Sequence, residues 1–364
     1  MQYTSNGPDS LAAGHRASDE EGLGALATVS GRGASAPPSL ARSSFRTAPA
    51  GPPAQATGRD STHYEQASAR MSARFEALPV NRPAFLAGVA SALLSPPAMA
   101  DAPSLRRAVE RIANSIPGQV AVFARQVTGR EEMVALNADE SFPAASIMKL
   151  AIMLTAYRAI ERGRISLATP VAFAPRDLVG GSETFGSEQP GATATLGALL
   201  EAMIRQSDNS AANALVDRFG FATINGVIAQ AGLRRTRLRR YFMYFSTAHE
   251  NVTTAHDVGC LLLEIERGAR GEDVAHASRH SCRAMIDTLL GQEDREKIAP
   301  GLPHGVLLAN KTGELPGARH DAGIVGPYGP RPYVLVVLEK NLDDEGLGVA
   351  GIKRISRAVY RSFA

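Results

Sequence analysis

Apolar residues recur at helical spacing over positions 105–116, and Gly118 follows as a stop signal. Over 120–127 and 132–136 the pattern alternates instead, around Thr128-Gly129-Arg130, which predicts a β-hairpin. Positions 146–160 are apolar on most faces, as in a buried helix. Further helical periods cover 196–204, 210–219 and 221–231, the last two closed by Gly220 and Gly232. Thr253 is expected to cap a helix over 254–267 that stops at Gly268, and 278–290 predicts another. Three short apolar runs, 306–311, 322–325 and 333–338, read as strands before a last helix over 349–363. Strands at both ends and helices between predict an α/β (α+β) domain over 101–364. Its sheet is built from the domain's two ends, with a helical subdomain beside it.

Upstream of this domain the pattern changes. Positions 1–70 are rich in Ser, Gly, Ala and Pro, with no apolar period, and read as a disordered or over-extended segment. Met71 then opens a stretch with Arg74 and Arg82, an apolar run over 84–94, and Ala98-Met99-Ala100 before Asp101. That is the order of a secretory signal peptide over 71–100, too short to span a membrane. Met71 is therefore the expected initiator. The mature protein is expected to be periplasmic or secreted, with no stable membrane anchor, and a monomer.

Bulk chemistry excludes several classes. With 364 residues, 44% hydrophobic content and net charge +3, the chain can build a sizeable core. The charge argues for neither nucleic acid nor a membrane surface. The basic run Arg234-Arg235-Thr236-Arg237-Leu238-Arg239-Arg240 lacks an aromatic platform, so no nucleic-acid partner is expected and a solvated loop is the reading. His276 and His280 are four apart but have no third ligand, so no metal or other cofactor is expected. Cys260 and Cys282 are either bridged between neighbouring helices or two free thiols.

Three short stretches carry the chemistry: Ser146-Ile147-Met148-Lys149, Ser207-Asp208-Asn209 and Lys311-Thr312-Gly313. The chain has five lysines against abundant arginine, yet two of the five fall in these motifs. Arginine cannot replace them where a base must lose its proton. Ser146 and Lys149 are three apart on a predicted helix and share a face, near the positive end of its dipole. A buried amine there can take the serine proton. Ser207 can relay a proton to a departing nitrogen, and Asn209 can bond a substrate amide. Asp208 is expected to hold the turn between two helices. At the end of a strand, Lys311 offers charge to a carboxylate, Thr312 a hydroxyl, and Gly313 close backbone approach. The N–H groups of Ser146 and Glu314 are the candidate oxyanion hole.

With these motifs in this order, residues 105–364 resemble the class A β-lactamases and the penicillin-recognising serine hydrolases around them. Phe142-Pro143-Ala144-Ala145-Ser146, Ser207 through Asn213, and Val252-Thr253-Thr254-Ala255 are similar to that family's segments. The resemblance implies a mainly antiparallel sheet flanked by helices, an all-helical subdomain, and the site at their junction. It also implies acylation of Ser146 by a β-lactam, a small-molecule substrate, or by a peptidoglycan-like one. One departure stands out. The omega-loop glutamate that activates the deacylating water in class A enzymes is replaced here by Phe242, and positions 218–249 contain no Asp or Glu. Glu250 is the nearest carboxylate that can stand in as deacylation base. The alternative is that it pairs with an arginine of 234–240 and holds the loop's neck. The expected function is a β-lactam-opening hydrolase with slow deacylation. A penicillin-binding-type peptidase or esterase, and a sensor acylated once and held, are the alternatives.

Overall fold

The computed structural model describes residues 102–128, 133–246 and 248–363. The segment 1–70 and the signal peptide expected over 71–100 lie outside the described residues.

The domain opens with α1 (Ala102–Ala113), β1 (Gln119–Gln126), β2 (Met133–Leu136) and a two-residue β3 (Phe142–Pro143). A 3-10 turn, Ala145–Met148, leads into α2 (Lys149–Glu161). The helical part carries α3 (Leu196–Arg205), α4 (Asn209–Phe219) and α5 (Phe221–Gln230), after a small ribbon of β4 (Pro170–Ala172) and β5 (Thr193–Thr195). Then come β6 (Val252–Thr253), α6 (Ala255–Arg270) and α7 (Arg279–Leu290). The chain closes with β7 (Leu308–Leu315), β8 (Ala318–Val325), β9 (Tyr333–Lys340) and α8 (Glu345–Phe363).

Five strands form one antiparallel sheet in the order β2-β1-β9-β8-β7. Alternation sorts its side chains. Ala121, Phe123, Val334, Val336 and Leu338 face the buried helix α2 and the helical lobe. Val120, Val122, Leu335 and Val337 face Leu105 and Val109 of α1 and Ile352, Ile355 and Val359 of α8. Both faces are covered, so β9 is apolar from Tyr333 to Leu338. The sheet is drawn from both ends of the domain, as the pattern predicts.

Three details differ from the sequence expectation. Thr254, not Thr253, caps α6, its Oγ1 accepting from Asp257 N at 3.0 Å. That helix runs on to Gly271, which takes φ +96°. Gly268 lies inside it because a Cβ there would meet Cys282 Sγ at 2.5 Å, so that glycine serves helix packing rather than termination. Cys282 and Cys260 are both free thiols. Finally, Lys311 does not end its strand. β7 continues because Thr312, Gly313 and Glu314 keep pairing with Asp321, His320 and Arg319. Their polarity hid this from a hydrophobic pattern: β7 is the sheet's edge, and its outer side faces a cleft.

Candidate active site

The nucleophile turn is held from three sides. Phe142 and Pro143 pair with Thr253 and Val252, and Ala144 N donates to Asn251 O at 2.7 Å. Buried His320, whose basicity burial pushes down to about 4, has Nε2 2.8 Å from Pro143 O and receives Glu339 N–H on Nδ1 at 3.1 Å. Its Nδ1 also lies 2.8 Å from Arg319 O, so the ring is held by backbone on both sides. Ala145 then adopts φ +45° and Ser207, on the facing turn, φ +59°. Non-glycine residues reach that region at a cost of about 1–3 kcal/mol, and only where packing over-determines them.

Lys149 is fully buried. Its Nζ lies 3.0 Å from Ser146 Oγ, 2.6 Å from Ser207 O, 2.8 Å from Asn209 Oδ1 and 3.2 Å from Ser207 Oγ. A neutral amine has two N–H donors. The two carbonyl-type oxygens take them, which leaves the lone pair for the Ser146 hydroxyl proton. Burial, and then the neighbouring Lys311 charge, hold the amine well below its usual range against the opposing pull of Asp208. This is the electrostatic condition for a general base.

Ser207 Oγ bridges the two lysines, accepting from Lys311 Nζ at 3.1 Å; Lys311 also donates to Thr312 O at 2.9 Å. Burial pushes Lys311 down to about 7, partly offset by Asp294 and Asp321. Asp208 caps α4 through Ala211 N at 2.8 Å and accepts Thr184 N and Phe185 N, each at 3.0 Å. It holds the turn, as expected.

Asn209 departs from expectation in part. It lines the cleft, but Nδ2 donates to Gly180 O and Gly181 O at 3.2 and 3.0 Å while Oδ1 accepts from Lys149. A substrate contact by Asn209 therefore requires the 180–181 segment to release it. At Gly313 a Cβ would come within 3.2 Å of Ser146 N, so side-chain absence lets β7 approach the nucleophile turn. Glu314 sits beside it, its carboxylate 2.8 Å from the buried Lys297 Nζ, which also reaches Asp294 at 2.5 Å. The sequence shows no sign of this bridge, because it joins the 294–297 segment to β7 through one buried amine. A cavity of about 390 Å³ opens on Ser146, Ser207, Asn209, Thr312, Gly313 and Glu314. Of the expected residues, Lys149, Lys311 and Glu250 do not line it; the two lysine amines lie behind it, each within hydrogen-bond distance of Ser207 Oγ.

Glu250 lies in the neighbouring crevice and is engaged. Its Oε1 accepts from Arg240 Nη2 at 2.5 Å and from Asn251 N at 3.0 Å, with Arg240 buried. Asn251 Oδ1 takes Arg239 N and Arg240 N, which closes the neck of the loop. The basic run is thus only partly solvated. Phe242 is the residue that faces the base: its ring centroid is 4.8 Å from Lys149 Nζ. Phe242 N donates to Asn213 Oδ1 at 2.8 Å, and Asn213 Nδ2 donates back to Phe242 O at 3.2 Å.

A sheet covered on both faces, a helical lobe and a serine–lysine pair facing a second serine and lysine define a class A serine β-lactamase-like architecture. The comparisons agree. A family model described as "Beta-lactamase enzyme family" matches residues 104–363. A β-lactamase of Streptomyces fradiae is 32% identical over 239 residues, covering 64% of this chain and 76% of that protein. One from Streptomyces lavendulae is 28% identical over 246 residues, covering 65% and 78%. Among solved structures, a β-lactamase from Sphaerobacter thermophilus DSM 20745 superposes with TM-score 0.65 at 29% identity, over 72% of this chain and 98% of that one. PBP-A matches with TM-score 0.65 at 26% identity, over 71% and 95%. The chain belongs to the beta-lactamase enzyme family.

Proposed function

We propose that this protein is a hydrolase that opens β-lactam amides through an acyl-enzyme on Ser146 and releases the product slowly. The observation that carries the reading is the buried Lys149 amine, 3.0 Å from Ser146 Oγ and held by burial well below its usual pKa range. In acylation Lys149 takes the Ser146 proton as Oγ attacks the ring carbonyl. The N–H groups of Ser146 and Glu314 receive the oxyanion, each donor contributing about 10²–10³ in rate. As the C–N bond breaks, Ser207 gives its proton to the departing nitrogen and is reprotonated from the Lys149 ammonium. Lys311 and Thr312 hold the substrate carboxylate. Hydrolysis then needs a base for water, and a phenyl ring occupies the side of Lys149 where that base would act. Losing such a base costs about 10²–10⁴ in rate. The engagement of Glu250 by Arg240 supports a structural role for it. The sequence pattern over 71–100 supports a periplasmic or secreted location. No helix among the described residues is long and apolar enough to cross a membrane.

Intact-mass spectrometry over time with benzylpenicillin tests this, on wild type and Ser146→Ala. The expected result is a stoichiometric adduct of one whole penicillin on wild type that decays slowly to product, and none on the variant. Rapid turnover without an accumulating adduct overturns slow release; neither adduct nor product overturns the reading. The apolar Phe242 also favours a second reading, a penicillin-binding-type peptidase or esterase. Faster turnover of a peptidoglycan fragment or a short ester than of any β-lactam would establish it.

A further inference from the structure

The cavity of about 390 Å³ in front of Ser146 is a ligand site on grounds independent of its charge, since the nucleophile and Ser207 open onto it. The acylation chemistry leaves the charge of its wall unused. Four carboxylates line it, Glu183, Glu293, Asp294 and Glu314, against one guanidinium, Arg205. They come from three separate segments: the loop that carries Gly180 and Gly181, the turn after α7, and β7.

Only part of that negative charge is matched. The buried Lys297 ammonium lies 2.5 Å from Asp294 and 2.8 Å from Glu314, so one cation serves two anions. Against burial, the bond to Lys297 holds Asp294 below the ordinary carboxylate range, which keeps it ionised. Arg205 is laid against the turn after α7, its Nε donating to Gly291 O at 3.2 Å. Glu183 and Glu293 are exposed, and neither forms an ion pair among the described residues. Behind the cavity, burial brings Lys311 down to about 7, so near neutral pH its charge is only partly present. A concave site lined by one sign of charge concentrates the opposite sign and shifts association rates by about 10–10³ at low salt. A second anionic group on a substrate meets like-charge repulsion there. Because the acids reach the cavity from three segments, this preference holds for either orientation of a substrate within it.

We propose that Glu183 and Glu293 make the cavity select acylating substrates that carry an ammonium group and reject those with a second carboxylate. The inference rests on the acyl-enzyme reading above and names its substrate class, zwitterionic β-lactams.

The test measures the second-order acylation rate by intact mass, using the full chain and three penicillins that differ in one substituent. Benzylpenicillin carries a hydrogen on the side-chain α-carbon, ampicillin an ammonium and carbenicillin a carboxylate. At about pH 6.5 the α-amine is protonated. At low ionic strength the wild type should acylate with ampicillin at least ~10-fold faster than with carbenicillin, with benzylpenicillin between. At about 0.5 M salt the spread should shrink to roughly twofold. In Glu183→Gln combined with Glu293→Gln it should be roughly twofold already at low salt, with carbenicillin gaining and ampicillin losing. Both positions are exposed, so the fold should tolerate the change. Glu140→Gln, exposed and outside the cavity, should leave the spread as in wild type. Equal wild-type rates, a spread indifferent to salt, a spread surviving the double variant, or an equal collapse in Glu140→Gln overturns this inference while labelling itself upholds the acyl-enzyme. Absence of labelling by every penicillin overturns both.

Discussion

The phenyl ring of Phe242 lies with its centroid 4.8 Å from Lys149 Nζ. Its backbone is fixed on both sides by the Asn213 amide, so a replacement side chain starts from the same place. Phe242→Glu therefore brings a carboxylate to the apolar side of the base. The adduct lifetime should shorten by about 10²–10⁴, read as decay of the acyl-enzyme mass after excess penicillin is removed. An unchanged lifetime would mean that something other than a missing base limits release.

Acylation should depend on pH in both directions. Lys149 must be neutral, so the rate falls as pH drops through its depressed pKa. Lys311 must be charged to hold the carboxylate, so the rate also falls as pH rises beyond about 7. The two amines share Ser207 Oγ and titrate as a pair, giving a bell with macroscopic limbs. Lys149→Arg should remove acylation at every pH, because guanidinium keeps its proton. A profile rising steadily to pH 10 would contradict the role given to Lys311.

Glu339 is fully buried, and neither carboxylate oxygen has a hydrogen-bond partner among the described residues. Burial raises it from 4.5 to about 8, with Arg319 pulling the other way. The unfolded chain ionises first, so this group's contribution is complete below pH 4.5 and is lost as pH rises through about 8. Glu339→Gln should thus have a Tm that gains on wild type as pH goes from 5 to 9. A constant difference across that range would refute the assignment.

Glu250→Gln separates a neck clasp from a base. Losing the charge partner of buried Arg240 should cost about 1–3 kcal/mol, seen as a lower denaturation midpoint. The acyl-enzyme lifetime should not lengthen. A longer-lived adduct in this variant would instead assign Glu250 to the deacylating water.

What the sequence made legible was short-range and chemical. Ser146 and Lys149 share a helical face, Asp208 caps the helix that follows it, and only lysine can serve as the base at 149. These follow from spacing and residue type. The sheet drawn from both ends was legible because β1 and β9 carry long apolar runs. What stayed hidden depends on partners distant in sequence. The use of Asn209 by Gly180 and Gly181, the Lys297–Glu314 bridge, and the positive φ of Ala145 and Ser207 all arise where separate segments meet. The extension of β7 past Lys311 was hidden because edge residues facing a cleft are polar.

The order of the sheet carries a consequence for synthesis. β1 finds its central neighbour only in β9, more than two hundred residues later, and Lys311 reaches Ser207 from a strand that follows the whole helical lobe. While the polypeptide is still emerging, the serine and its base lack the second amine and the strand edge that would present a substrate to them. The site can be assembled only once β7 has followed the helical lobe off the ribosome.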